Sequence, residues 1–146
     1  MHLDRSALRL LAPIALVLLP AATAASQAPE PPVGWWTGTS RCVRGKPLCK
    51  DERVTWRLER AGPDSGGAIP LQLSTSKVVG GEEEAAAVLT CVYEPARDAL
   101  RCGMPPQGEW RLRRAGRELR GGLWQDGKGQ VRSIRLRSQA RVSATG

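Results

Sequence analysis

Period two governs this chain. From Gly34 onward, apolar and polar residues alternate in about eight short runs, and turn residues punctuate most of the junctions. The clearest run is Glu52 to Arg60, where Val54, Trp56 and Leu58 alternate with Arg53, Thr55, Arg57 and Glu59. A single apolar face at this period marks a half-buried strand. Residues 36–43, 69–79, 86–93, 109–113, 118–125 and 131–138 read the same way, with Ile69, Leu71 and Leu73, then Trp110 and Leu112, then Leu119, Gly121 and Leu123, then Ile134 and Leu136 on the apolar faces. Val131 is out of phase with Ile134 and Leu136, which predicts a β-bulge. AGPDSGG (61–67) is a turn cluster, and QDGKG (125–129) carries a hairpin signal. Gly80-Gly81 followed by Glu82, Glu83 and Glu84 reads as a charged, solvated loop. The expected fold is all-β, an antiparallel up-and-down barrel of about eight strands, with a β-sandwich as the alternative.

The cysteines fit such a sheet. Cys42, Cys49, Cys91 and Cys102 permit more than one pairing. Spacing favours Cys42–Cys49, which flank VRGKPL with its turn residues Gly45 and Pro47, and Cys91–Cys102. Folding 91–102 about Ala96-Arg97 sets Tyr93 opposite Leu100 and Cys91 opposite Cys102, within reach of a cross-strand bond. A zinc site is the rival reading, but neither pair has C-x-x-C spacing and no histidine stands near them.

The N-terminus indicates the compartment. Arg5 and Arg9 precede an apolar run from Leu10 to Leu19, and Ala22-Thr23-Ala24 offers a small-residue cleavage site. Basic start, short apolar core and A-x-A site together make a secretory signal peptide over residues 1–25. The run is shorter than the about 20 residues that cross a bilayer, so no membrane span is expected. Residues 26–32 (SQAPEPP) read as a Pro-rich linker, 33–138 as the barrel domain and 139–146 as a disordered tail. The expected location is secreted or periplasmic, where paired cysteines persist.

Much chemistry is excluded. The only histidine, His2, lies in the signal peptide. Histidine acid–base catalysis, Ser-His-Asp and Cys-His nucleophiles and histidine-ligated metals are therefore unavailable to the mature chain. With the cysteines paired, no thiolate remains. Adjacent Asp51-Glu52 diverge on a strand and do not form an opposed carboxylate pair, so they read as a loop exit. The expectation is a protein that is not an enzyme and carries no cofactor and no metal.

Charge is uneven. The whole chain carries +8, and residues 110–146 hold ten Arg or Lys against Glu118 and Asp126, so the mature chain before them is close to neutral. Such asymmetry points to an anionic partner or to a solvated strand face. Export and the absence of a recognised motif argue against nucleic acid. Trp56 and Trp110 sit on apolar faces and read as core. Adjacent Trp35 and Trp36 point to opposite faces, and Trp124 is opposite in phase to Leu123. The candidate binding residues are Trp35, Trp36 and Trp124, with Arg111, Arg113, Arg120, Arg132, Arg135 and Arg137 as an outward basic stripe.

Gly34-Trp35-Trp36 resembles the G-x-W that opens the first strand of lipocalins and related calycin barrels, and the order of G-x-W first, about eight strands and a basic last strand resembles theirs too. The resemblance implies that Arg135 or Arg137 packs on that tryptophan by cation–π contact. The stretch TSRCVRGKPLCKDERVTW is also similar to small exported bacterial proteins with a Trp-containing first strand, two cysteines and a following Asp-Glu. The function implied is a binding module for a small apolar or amphipathic ligand, with an interior larger than its side chains fill. The alternative is an interaction or inhibitor module that meets an anionic envelope component or an acidic protein through its Arg-rich face.

Overall fold

The computed structural model describes residues 27–106 and 108–139. The signal peptide expected over 1–25, Ser26 and tail residues 140–146 lie outside the described residues. The chain runs β1 (Gly34–Cys42), β2 (Glu52–Arg60), β3 (Ile69–Val79), β4 (Glu82–Glu94), a 3-10 turn (Pro95–Arg97), β5 (Ala99–Met104), β6 (Gly108–Ala115), β7 (Glu118–Gln125) and β8 (Gly129–Ser138). Each strand pairs antiparallel with the next, and β8 returns to β1, from Trp36↔Ser138 to Cys42↔Arg132. The sheet is therefore a closed eight-stranded barrel, and the sandwich alternative falls.

Alternation puts one face of every strand inside. Trp36, Trp56, Leu58, Leu71, Leu73, Tyr93, Leu100, Leu112, Leu119 and Leu136 fill the interior, and Trp56 meets Trp110 edge to face, with 5.3 Å between ring centroids. Each such side chain contributes about 1.5–3 kcal/mol on burial. Cys91 and Cys102 face each other in register and are bonded inside this core, while Cys42–Cys49 closes a loop at the rim. Gly121 lies on the inward side of β7, where a Cβ would stand 1.9 Å from the Arg111 carbonyl oxygen, so only glycine lets β6 and β7 approach this closely.

Most strand ends fall within a residue or two of the sequence reading, and three stretches change role. Glu82, Glu83 and Glu84 belong to β4 and pair with Val79, Val78 and Lys77. Gly80 and Gly81 both have positive φ and form a two-residue hairpin, which sends the chain straight back into the sheet. Pro32, read as linker, is buried, and its carbonyl accepts a 2.8 Å hydrogen bond from Trp36 Nε1. Gln139, read as tail, donates its backbone N–H to the Trp35 carbonyl at 2.8 Å. The bulge stands where the phase predicted it. Leu123 pairs with Arg132 and Trp124 with Gln130, leaving Val131 as the extra residue.

One end of the barrel is sealed. Tyr93 Oη donates to Asp98 Oδ1 at 2.6 Å, and Arg114 donates to Asp98 at 3.1 Å, to Tyr93 Oη at 3.2 Å and to the Glu30 carbonyl. Burial first, and the bond to Asp98 second, push the Tyr93 pKa up to about 12, against the opposing charge of Arg114. A raised folded-state pKa is a stabilising preference, fully present below the unfolded tyrosine value of about 10 and lost as pH rises toward the folded value. The stability advantage of the native chain over Tyr93→Phe is expected to shrink as pH climbs from about 10 to about 12, by on the order of 2 kcal/mol, in urea unfolding at a series of pH values. An advantage that stays constant over that window would show that the hydroxyl ionises equally in both states.

Candidate functional site

The opposite end is open. Ser40 and Cys42 end β1 here, Glu52 and Val54 begin β2, and Val131 and Arg132 stand near the start of β8. Trp56, Trp110, Val54, Leu89, Met104, Leu123 and Ile134 line a cup of about 200 Å³, with Ser40, Glu52, Lys77 and Arg132 among its polar members. Below it the interior is occupied by the side chains of the core.

Arg132 anchors the mouth. It shares the inward phase of Ile134 and Leu136 at period two, and the Val131 bulge shifts the pairing only beyond it, where Trp124 meets Gln130. Its side chain is only 17% exposed. Nε donates to Ser40 Oγ at 2.7 Å, Nη1 to Cys49 Sγ at 3.1 Å, and Nη2 to the Lys50 carbonyl at 2.9 Å and to Glu52 Oε2 at 3.2 Å. These bonds tie the disulfide loop to the wall of the cup and satisfy buried Ser40. The backbone N–H groups of Val43 and Arg44 reach the Val131 carbonyl, which fixes the same loop from its other side. At the exit of the loop, the Cys42 backbone N–H donates to Asp51 Oδ1 at 2.8 Å, and this bond, helped by the charge of Lys46, holds the Asp51 carboxyl below the usual range. Asp51 is thus a loop fastener, as its position suggested. Lys77 Nζ stands 4.0 Å from Glu52, so the cup carries two cations against one carboxylate.

The predicted site residues do not converge. Trp36 is 4% exposed and belongs to the sealed end. Trp35 is 49% exposed and Trp124 38%, each under a guanidinium, Arg57 at 5.3 Å and Arg111 at 5.4 Å from the ring centroids. Arg135 and Arg137 leave the outer wall, so neither packs on the inward-facing Trp36, and the contact implied by the resemblance is absent. The basic residue at the sealed end is Arg114 of β6, stacked 5.8 Å from the Tyr93 ring centroid. Arg111, Arg113 and Arg120 share the outer wall with Arg135 and Arg137, whereas Arg132 departs from that stripe into the mouth. Glu109 lies between Arg101 and Arg111 and Glu118 between Arg120 and Arg137, at N–O separations of 3.0 and 2.8 Å for the first pair. Partial burial opposes ionisation of Glu109, but the hydrogen bonds from both arginines outweigh it, and Glu118 is likewise held low, first by its bond to Arg120.

Sequence reasoning counted Arg114 and Arg132 among the basic residues of the last strands and passed over their inward roles. The signal was phase: Arg114 follows Trp110 and Leu112, and Arg132 precedes Ile134 and Leu136, each at period two. Among the described residues, no three His, Cys, Asp or Glu side chains gather as a metal site, and no helix is long and apolar enough to cross a membrane. The chain matches no protein-family model, no curated protein and no solved structure. The eight-stranded antiparallel closed barrel is compatible with a calycin-like fold.

Proposed function

We propose that this chain is an exported, non-enzymatic binding protein, a calycin-like barrel that holds a small amphipathic anion in its open mouth. The supporting observation is the cup itself, apolar along Trp56, Trp110, Leu89 and Ile134 and carrying Arg132 and Lys77 against Glu52. An apolar body would lie on the tryptophans and an anionic head would meet the excess cation. At about 200 Å³ the cup is smaller than the about 300–1,000 Å³ of drug-sized sites. The ligand is therefore short, and the wider interior expected from the sequence is reduced to this upper chamber. Two disulfides, one on the rim and one in the core, accord with an oxidising compartment.

Tryptophan fluorescence tests the reading, because Trp56 and Trp110 line the cup. Hexanoate is expected to quench saturably with a dissociation constant on the order of 0.1 mM, as suits so few atoms. Palmitate, whose chain exceeds the space, is expected to bind far more weakly. Ala87→Trp, which fills the cup from β4, is expected to abolish the hexanoate response while the fold persists. Equal affinity for both acids, or a response untouched by Ala87→Trp, would place the ligand elsewhere.

A further inference from the structure

On the outer wall, β6, β7 and β8 set Arg113 opposite Arg120 and Arg120 opposite Arg135. Facing residues on paired strands stand about 4.5–5.5 Å apart, so three arginine side chains leave the sheet side by side across roughly 10 Å. Like charges in register destabilise a sheet. A neighbouring pair has an internal remedy, since Arg101 faces Arg111 and Glu109 bonds to both. The row has only a partial one. Glu118 pairs with Arg120 and Arg137 and its charge also acts on Arg135, but neither Arg113 nor Arg135 forms an ion pair with any described residue, so three cations of the row and Arg137 face a single carboxylate. All three arginines of the row are exposed. Furrows of about 590 and 470 Å³ meet at Arg120 and Gly121, one reaching Arg135 and the other Arg113.

We infer that Arg113, Arg120 and Arg135 form a phosphate site on the outer wall, separate from the cup. Arginine forks bind phosphate bidentately, and a phosphomonoester brings up to two charges on three free oxygens, against the single charge and two oxygens of a carboxylate. That stoichiometry suits three adjacent guanidiniums of which one is already shared with Glu118. A bound phosphate converts the mutual repulsion of the row into attraction. Binding and stability therefore move in opposite directions when an arginine is removed, whereas a structural arginine would lose stability.

The test is calorimetric titration of the folded chain with pyrophosphate at low salt, beside co-sedimentation with vesicles containing phosphatidic acid or only phosphatidylcholine. Saturable pyrophosphate binding that weakens with salt is expected. The double variant Arg113→Gln with Arg135→Gln is expected to weaken it by about tenfold or more, the scale of lost charge-assisted hydrogen bonds, while its thermal midpoint rises and the hexanoate response is unchanged. Replacing both by lysine keeps the charge without the fork and is expected to fall between. Binding to phosphatidic acid vesicles as well would identify a lipid head group as the source, and binding to pyrophosphate alone a soluble phosphate; both support the site. No binding of either probe, binding retained by the glutamine variant, or a lowered midpoint in that variant overturns the proposal.

Discussion

Trp56→Ala is expected to remove about 3–5 kcal/mol of stability, seen as a lowered denaturant midpoint with an unchanged slope. Trp56 is 2% exposed, pairs in register with Trp36 and meets Trp110 edge to face. Truncation loses its transfer energy, leaves a void that a closed barrel cannot collapse to fill, and forfeits an aromatic pair worth about 0.5–1.5 kcal/mol. Small domains are stable by only about 5–15 kcal/mol in total, so the variant would stand near the limit of folding. Trp35→Ala is the control. Trp35 stacks on Arg57 at the surface, and its loss is expected to cost about 1 kcal/mol or less. Similar costs for the two variants would mean that the interior is not packed as described.

The second large effect concerns the disulfides. Replacing Cys91 and Cys102 together by alanine is expected to cost about 2–5 kcal/mol, and replacing Cys42 and Cys49 distinctly less. Loop closure alone does not separate them, because sequence separations of 11 and 7 give about 3 and 2.5 kcal/mol in the chain-entropy model. Burial does. Cys91 and Cys102 are at most 1% exposed and pack in the core, so their removal also empties volume there. When its bridge is lost, the rim loop gives up the Arg132 contact to Cys49 Sγ but keeps the bond from Arg132 to the Lys50 carbonyl and those from Val43 and Arg44 to the Val131 carbonyl. Thermal unfolding of the two double variants decides the matter, and equal losses would reduce both bridges to chain entropy.

The barrel was legible because one face of each strand is buried, so the phase of Val54, Trp56 and Leu58 or of Ile134 and Leu136 is a direct image of the interior. The same rule located the Val131 bulge and the Cys91–Cys102 register. It misled where residue type was allowed to outweigh phase. Arg132 was grouped with Arg135 and Arg137 by charge, although its position put it beside Ile134. The seal of Arg114, Asp98, Tyr93 and Glu30 was out of reach for another reason: Arg114 and Glu30 are 84 residues apart and meet only through closure. The volume of the cup depends on side chains from most of the strands at once, so no single run of sequence carries it.

The sealed end gives the molecule a polarity. Pro32 enters beneath Trp36, and Gln139 leaves bonded to Trp35, so both ends of the described chain emerge together at the pole opposite the cup. The described chain thus begins and ends at the closed base, away from the mouth. A barrel held by its end on a bead or a sensor surface would present the cup outward, toward whatever diffuses past.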